Sequence, residues 1–275
     1  MTDEHILIVI SVPIEEAEFA ADLLWSSGAQ AVEERPDSNR VRLVTDLGER
    51  PLEHWDAIVA EHPAASRWEV TTMRVAASVA DNWREHAHTT IVSDVRIVPA
   101  WRVVDHGPKD VLIDPGGAFG MGDHPTTRAT LEIALVAEGK NALDLGCGSG
   151  VLAIALAKFR GLRCVAVDIA PAAVEASHRN ASLNGVADLL VIDLGDVRSV
   201  RGTYDIVLAN ILAPVLLSDA ADIARRVTPG GTLVLSGFTA TRLVDIEAAY
   251  QALGLRRTGL VEIDGWLALQ MERVE

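Results

Sequence analysis

The chain has 275 residues, 49% of them hydrophobic, a formal net charge of −15 and two cysteines. That length suits one large or two small domains. The acidic balance excludes nucleic acid as the main partner, because phosphate binding needs a basic surface, and suits a basic protein or a cationic small substrate. The two cysteines, Cys147 and Cys164, exclude a disulfide framework and fit a reducing compartment. The start, "MTDEHILIVISVP", is acidic, and its apolar run is too short to cross a bilayer. Neither a signal peptide nor a membrane anchor is expected there, and a cytoplasmic location is.

In chain order, "HILIVISV" predicts a strand. "PIEEAEFAADLLWSSG" predicts an amphipathic helix, with Pro13 near its start and Gly28 as its stop. "AQAVEER" and "RVRLVTD" are short strands around the turn "PDSN", "PLEHWDAIVAEHP" is a second helix, and "RWEVTTMRV" closes as a strand. The order β-α-β-β-α-β is the split, ferredoxin-like unit. A polar connector follows over residues 76–90 and is read as helical. "VRIVPAWRVV" and "KDVLIDPG" are strands that lead into the Gly-rich stretch "DPGGAFGMGDHPTT".

From Pro125 onward strands and helices alternate: "PTTRATLEIALVAEG", "NALDL", "VLAIALAKFR", "LRCVAVD", "PAAVEASHRNASLNG", "LLVIDL" and "YDIVLANI". "PVLLSDAADIARRVTPGG" is expected as one helix stopped by Pro-Gly-Gly, before "TLVLSGF" and the helix "TRLVDIEAAYQALG". This alternation predicts an α/β fold, a mostly parallel doubly wound sheet covered on both faces. "RRTGLVEID" and "GWLALQME" are too close for a crossover and are expected as an antiparallel hairpin. The domains expected are residues 1–75, the connector 76–90, and 91–275.

Open α/β sheets bind ligands beyond the carboxyl ends of their strands. The loop "DLGCGSG" falls there, with Gly146, Gly148 and Gly150 free to turn sharply and approach a ligand closely. A dinucleotide fingerprint needs its third glycine at Val151, and a P-loop needs Gly-Lys-Ser/Thr, so a pyrophosphate is disfavoured. Asp144, just ahead of the loop, suits an amino group better than a phosphate. Asp168 ends the next strand, where a carboxylate can accept from both hydroxyls of a ribose. The pair fits a nucleoside with a cationic amino-acid tail, S-adenosyl-L-methionine. Ser149 lacks the context of a hydrolase elbow. His86 and His88 form an H-x-H without further ligands, so no metal is expected.

The run from "DLGCGSG" to "VDIAPAAVEASHRNASLNGV" resembles the class I methyltransferases. "DPGGAFGMGDHPTT" narrows this: Asp114, Pro115, Gly116, Ala118, Phe119, Gly120, Gly122, His124, Thr126 and Thr127 match a loop of the PrmA family. Those are bacterial methyltransferases of large-subunit ribosomal protein L-eleven. "LANILAPVL", "DNW" and "VPAW" are similar too. Met121 departs from the family's threonine, and His86 and Ala87 lie where relatives carry a second tryptophan.

The resemblance implies a Rossmann-like class I methyltransferase sheet with a small N-terminal ferredoxin-like α+β domain for substrate recognition. It implies cofactor contacts from Thr127, Gly146, Gly148, Asp168, Asn210, Asp144 and Phe119, with Leu194 to Asp196 near the base. Thr127 at a helix start suits the methionine carboxylate, and equally serves as a helix cap. Asn210, which ends "YDIVLAN", can accept a hydrogen bond from an incoming amine, or be only a turn residue. It lacks the Pro-Pro-Tyr that follows in some amino-directed methyltransferases. His124 either relays a proton or holds the loop. The function implied is N-methylation of lysine side chains and the N-terminal α-amine of L-eleven, free before ribosome assembly, with no direct nucleic-acid or membrane contact. The alternatives are methylation of another protein or a small amine, and a catalytically silent adenosyl-ligand binder.

Overall fold

Residues 4–27, 29, 32–48, 50–76, 87–102, 107–115 and 120–274 are described in the structure, a computed structural model. The chain divides into two compact units, Met1–Ala87 and His88–Glu275.

In the first unit, β1 (Glu4–Pro13), β2 (Val32–Asp37), β3 (Arg40–Thr45) and β4 (Glu69–Ala76) form one antiparallel sheet in the order β2-β3-β1-β4. The helices are α1 (Ala17–Ser26), entered through a single 3-10 turn at Ile14–Glu16, and α2 (Pro51–Glu61). This is the ferredoxin-like order expected. Ile8, Ile10 and Val12 alternate on β1, as a period of two requires, and pack with Leu24, Leu43, Trp55 and Ile58. Of the connector, Ala76 ends β4 and residues 77–86, with Trp83 and His86, lie outside the described residues.

The second unit opens with a three-stranded sheet not read in the sequence as such: β5 (Thr90–Val92), β6 (Val95–Pro99) and β7 (Asp110–Ile113). Thr90, assigned above to the helical connector, begins a strand because Ser93, at φ 53, turns the chain back onto itself.

Next come α3 (Pro125–Ala134), β8 (Asn141–Leu145), α4 (Val151–Arg160), β9 (Arg163–Asp168), α5 (Pro171–Leu183), β10 (Leu190–Leu194) and β11 (Tyr204–Asn210). The remainder is α6 (Ala213–Ser218), α7 (Ala220–Ala224), β12 (Val227–Thr239), α8 (Ala240–Gln251), β13 (Leu255–Ile263) and β14 (Trp266–Arg273). The seven strands lie in the order β10-β9-β8-β11-β12-β14-β13, parallel except at β14, which inserts antiparallel between β12 and β13. The chain therefore winds one way from β8 to β10 and the other way from β11, and the switch point falls between β8 and β11. Both faces are buried. Ala142, Ile206 and Leu208 face one core, and Leu143, Leu145, Val207 and Ala209 face the other. That is why these strands read as continuous apolar runs.

One expectation fails. The helix foreseen from Pro214 to Gly231 is two short helices broken at Asp219, and Pro229 to Gly231 lie inside β12. Proline has no N–H for the ladder and Gly230 sits at φ 73, so these residues loop out between the pairs Tyr204–Val227 and Ile206–Thr232. Where α6 stops, the Leu216 carbonyl takes its hydrogen from the buried Tyr250 hydroxyl at 2.9 Å. Tyr250→Phe should leave that carbonyl orphaned and cost about 1–3 kcal/mol, measurable as a lower urea midpoint with an unchanged m-value.

Candidate active site

Parallel register sets the site. Leu194 pairs with Asp168, Leu145 with Val167 and with Ala209, and Asn210 with Ser236. The carboxyl ends of five strands thus stand in one row: Leu194, Asp168, Gly146, Asn210 and Ser236. At about 4.8 Å per strand the row is roughly 19 Å long, enough for a nucleoside and an amino-acid tail laid across the sheet.

The glycine loop leaves β8 with Gly146 at φ 68, Gly148 at φ 55 and Gly150 at φ 81, all in the left-handed region. A Cβ at Gly146 would overlap the Ile211 side chain, so this glycine also lets the chain after Asn210 come close. Gly146 and Cys147 both donate backbone N–H groups to Val167 O, at 2.9 and 3.1 Å. Asp168 is held with them: its Oδ2 accepts from Gly148 N–H at 2.9 Å and its Oδ1 from Ala170 N–H at 2.9 Å. A carboxylate has roughly four acceptor positions, so two of them remain for a diol.

Asp144 is 1% exposed and lies beneath the loop, not on its surface. Its Oδ2 accepts from Ala153 N–H, in the first turn of α4, at 3.2 Å, and its Oδ1 has no hydrogen-bond partner among the described residues. Burial pushes the carboxyl up to about 7; the Ala153 N–H opposes this, and the Asp168 charge adds to it. Cys147 is buried and its thiol is pushed far up by burial and by Asp144, so it is a filler and no nucleophile.

His124 is the N-cap of α3. Its Nδ1 accepts from Thr126 N–H at 3.3 Å and lies 2.8 Å from Thr126 Oγ1, and its ring meets Trp266 edge-on at 5.1 Å between centroids. Burial lowers its pKa, with Asp123 opposing. A neutral ring that accepts at Nδ1 is what a cap requires. Thr127, third in the helix, is 1% exposed, and it is the N-terminal end of α3 that offers N–H groups there. Asn210 is half-buried, and its side-chain amide has no hydrogen-bond partner among the described residues. Phe119 lies outside the described residues, with 116–118. Met121 packs half-buried on the core.

Ser177, Asn180 and Asn184 went unread in the sequence, and Ser149 was weighed there only as a hydrolase nucleophile. Ser149 Oγ donates to Gly120 O at 2.5 Å, and Ser177 Oγ to Gly148 O at 2.9 Å. The Asn180 amide reaches Asp114 and Ser149, and the Asn184 amide reaches Leu112. The available signal is spacing: polar side chains at 177, 180 and 184 fall on one face of a helix.

An orphaned, buried carboxylate oxygen under a loop of left-handed glycines, beside a carboxylate with spare acceptor positions, fits S-adenosylmethionine: an ammonium for the first and a ribose for the second. The burial of Asp144 has a measurable consequence. Its ordinary value is 3.8 and its folded value about 7, so the folded chain holds the extra proton between these pH values. The stability this gives is full below about pH 4 and is lost as pH rises through about 7. Asp144→Asn should flatten that slope, removing a wild-type loss on the order of 4 kcal/mol. Urea denaturation of both chains from pH 4 to 8 measures it, and parallel curves would refute the assignment.

Comparison with known proteins follows the same line. The family model described as ribosomal protein L11 methyltransferase (PrmA) matches residues 5–274. The ribosomal protein L11 methyltransferase of Geobacter metallireducens is 37% identical over 239 residues, covering 85% of this chain and 78% of that one. The enzyme of the same name from an Exiguobacterium species is 35% identical over 196 residues, 69% of this chain; the chain spans 63% of that relative's length. A crystal structure of ribosomal protein L11 methylase from Lactobacillus delbrueckii subsp. bulgaricus superposes with a TM-score of 0.63 at 28% identity, covering 68% of this chain and 100% of that one. The fold expected from the sequence, a class I methyltransferase sheet with a ferredoxin-like unit ahead of it, is the one present, and S-adenosylmethionine is the methyl donor expected with it. The chain belongs to the ribosomal protein L11 methyltransferase (PrmA) family of methyltransferases.

Proposed function

We propose that this protein methylates amino groups, lysine side chains and the N-terminal α-amine, of ribosomal protein L11, free before its assembly into the large subunit. The observation that carries the reading is Asn210: a half-buried amide with no hydrogen-bond partner among the described residues, at the end of β11, in register beside the glycine loop. When bound, S-adenosylmethionine supplies a methyl group on a sulfonium, open to in-line attack by an amine. An ammonium has no lone pair to attack with, and a lysine near its reference pKa of about 10.4 is nearly all ammonium at pH 7, whereas an α-amine near 7.7–8.0 is not. In this reading the Asn210 carbonyl accepts from the neutral amine and aims its lone pair, while desolvation of the closed site lowers the amine's pKa. His124, held neutral as a cap, keeps the entrance loop in place. Thr127 and its helix end take the cofactor's carboxylate, Asp168 the ribose, and Leu194 to Asp196 flank the base. Phe119 belongs to the same matched loop and is assigned to the cofactor by resemblance alone.

The amino-terminal unit is assigned to substrate recognition. Met1–Ala87 holds 17 acidic and 7 basic side chains, a balance of −10 within the chain's −15. Such a field attracts a basic protein and repels nucleic acid. Among the described residues no helix is long and apolar enough to cross a membrane, and we place the protein in the cytoplasm with its substrate.

Asn210→Ala should lower kcat on L11 by about 100-fold or more while the affinity for S-adenosylhomocysteine changes less than about fivefold; an equal collapse of both would make Asn210 a cofactor ligand only. A chain beginning at His88 should bind S-adenosylhomocysteine like the full chain and methylate L11 poorly even at high substrate concentration, since tethering supplies an effective concentration that solution does not match. Mass spectrometry of L11 after reaction reads the acceptor amines, and full activity of the shortened chain would assign the first unit a structural role only.

A further inference from the structure

Asparagine is a poor residue for a helix interior, because its amide competes for backbone groups. Asn180 nevertheless sits inside α5, 1% exposed. Its amide makes three hydrogen bonds, to two loops. Oδ1 accepts from Asp114 N–H at 2.9 Å, and Nδ2 donates to Asp114 O at 3.0 Å and to Ser149 O at 3.0 Å. Asp114 opens the first Gly-rich stretch, and Ser149 lies in the middle of the second. Ser149 Oγ closes the link from the other side by donating to Gly120 O. A Cβ at Gly120 would lie 2.9 Å from Ser149 Oγ, so the two stretches approach as near as a glycine permits.

We propose that Asn180 is a positioning residue for the methyl-transfer reaction: by joining Asp114 to Ser149 it holds the two Gly-rich stretches in register, so that the cofactor meets one preformed site and not two loops that it must assemble. The chemistry singles out a primary amide. Aspartate has no N–H to give the two carbonyls, leucine removes all three hydrogen bonds, and glutamine is one carbon too long for the gap. The Ser149 end of the link is buried, so the loss of that hydrogen bond is not made good by water. If binding must first order the loops, the apparent affinity falls by the fraction of molecules in which they are already ordered.

Asn184, one turn further on at the C-cap of α5, provides the control. Its amide grips backbone in the same bidentate way, accepting from Leu112 N–H at 2.9 Å and donating to Leu112 O at 2.7 Å. It serves β7 and touches neither Gly-rich stretch. A merely structural role for the polar face of α5 predicts equal behaviour for the two asparagines, and the proposal predicts different behaviour.

The proposal rests on the reading of these loops as the cofactor site, and the test separates the two. Full-length wild type, Asn180→Ala, Asn184→Ala and Ser149→Ala are titrated with S-adenosylhomocysteine by calorimetry, well below their melting temperatures. Asn180→Ala should weaken binding roughly 10- to 100-fold and Ser149→Ala by about 3- to 10-fold. Asn184→Ala should lower the melting temperature and leave the affinity within about twofold. In turnover, Asn180→Ala should raise KM for the cofactor more than it lowers kcat at saturation. Hydrogen exchange at the Asp114 amide should quicken in Asn180→Ala and slow again when the cofactor product is bound. Unchanged affinity in a folded Asn180→Ala, or an equal loss in Asn184→Ala, overturns the proposal while the cofactor reading stands; wild type that does not bind overturns both. If Asn180→Ala does not fold, Ser149→Ala decides, and wild-type affinity there overturns it.

Discussion

The constraint on which the rest depends is the parallel register of β8 with both of its neighbours. Leu145 pairs with Val167 on one side and with Ala209 on the other. That single alignment puts Asp168, the first glycine and Asn210 at one level across three strands. A shift of one residue in either ladder would turn Asp168 or Asn210 to the opposite face of the sheet, since the side-chain period is two. The apolar alternation of β8 and β11 between two buried cores forbids such a shift, because Leu143, Val207 and their neighbours would exchange cores. The packing energy of the fold therefore fixes the geometry of the chemistry.

The two acids of the site show how one loop serves structure and chemistry together. Asp168 orders the loop through Gly148 N–H and its own strand end through Ala170 N–H. It is poised for a ligand because its acceptors are only half used. Asp144 is under opposite pressure. It sits at the first turn of α4, where the helix end favours a negative charge, yet burial works against that charge strongly enough to raise its carboxyl to about 7. An orphaned oxygen in such a place is a cost to the folded chain.

The fold was legible because buried parallel strands write themselves as short apolar runs and their loops as glycines. "NALDL", "LRCVAVD" and "YDIVLANI" each begin and end within a residue of the strands observed. The candidate residues at the row, Gly146, Gly148, Asp168 and Asn210, were legible for the same reason: each terminates or follows such a run. What the sequence hid depends on partners distant in the chain. Nothing near Asp144 says that it lies under the loop. Nothing near Asn180 says that its amide meets residues 66 and 31 positions away. The break at Asp219 depends on Tyr250, and the Pro-Gly-Gly that looks like a helix stop is a bulge because β11 runs beside it. The hairpin of β5 and β6 depends on one serine in a left-handed conformation, which local propensity does not foretell.

Asn210 is followed by Ile211, Leu212 and Ala213, where some amino-directed methyltransferases place two prolines and an aromatic. The prolines would stiffen the chain at that point, and here two glycines do this from outside. Ile211 is wedged between them: a Cβ at Gly146 would overlap its side chain, and a Cβ at Gly237, at φ 94, would overlap its carbonyl. Ile211 N–H meanwhile donates to Ser236 O at 3.2 Å, and Leu212 at ψ 142 turns directly into α6. The residue after Asn210 is thus fixed by contact with β12 and with the loop that leaves β8, and Asn210 has little freedom left at its own backbone. An isoleucine does by packing what prolines do by covalent restriction. Packing thus fixes the backbone behind Asn210 while its amide stays at the end of β11, beside the glycine loop.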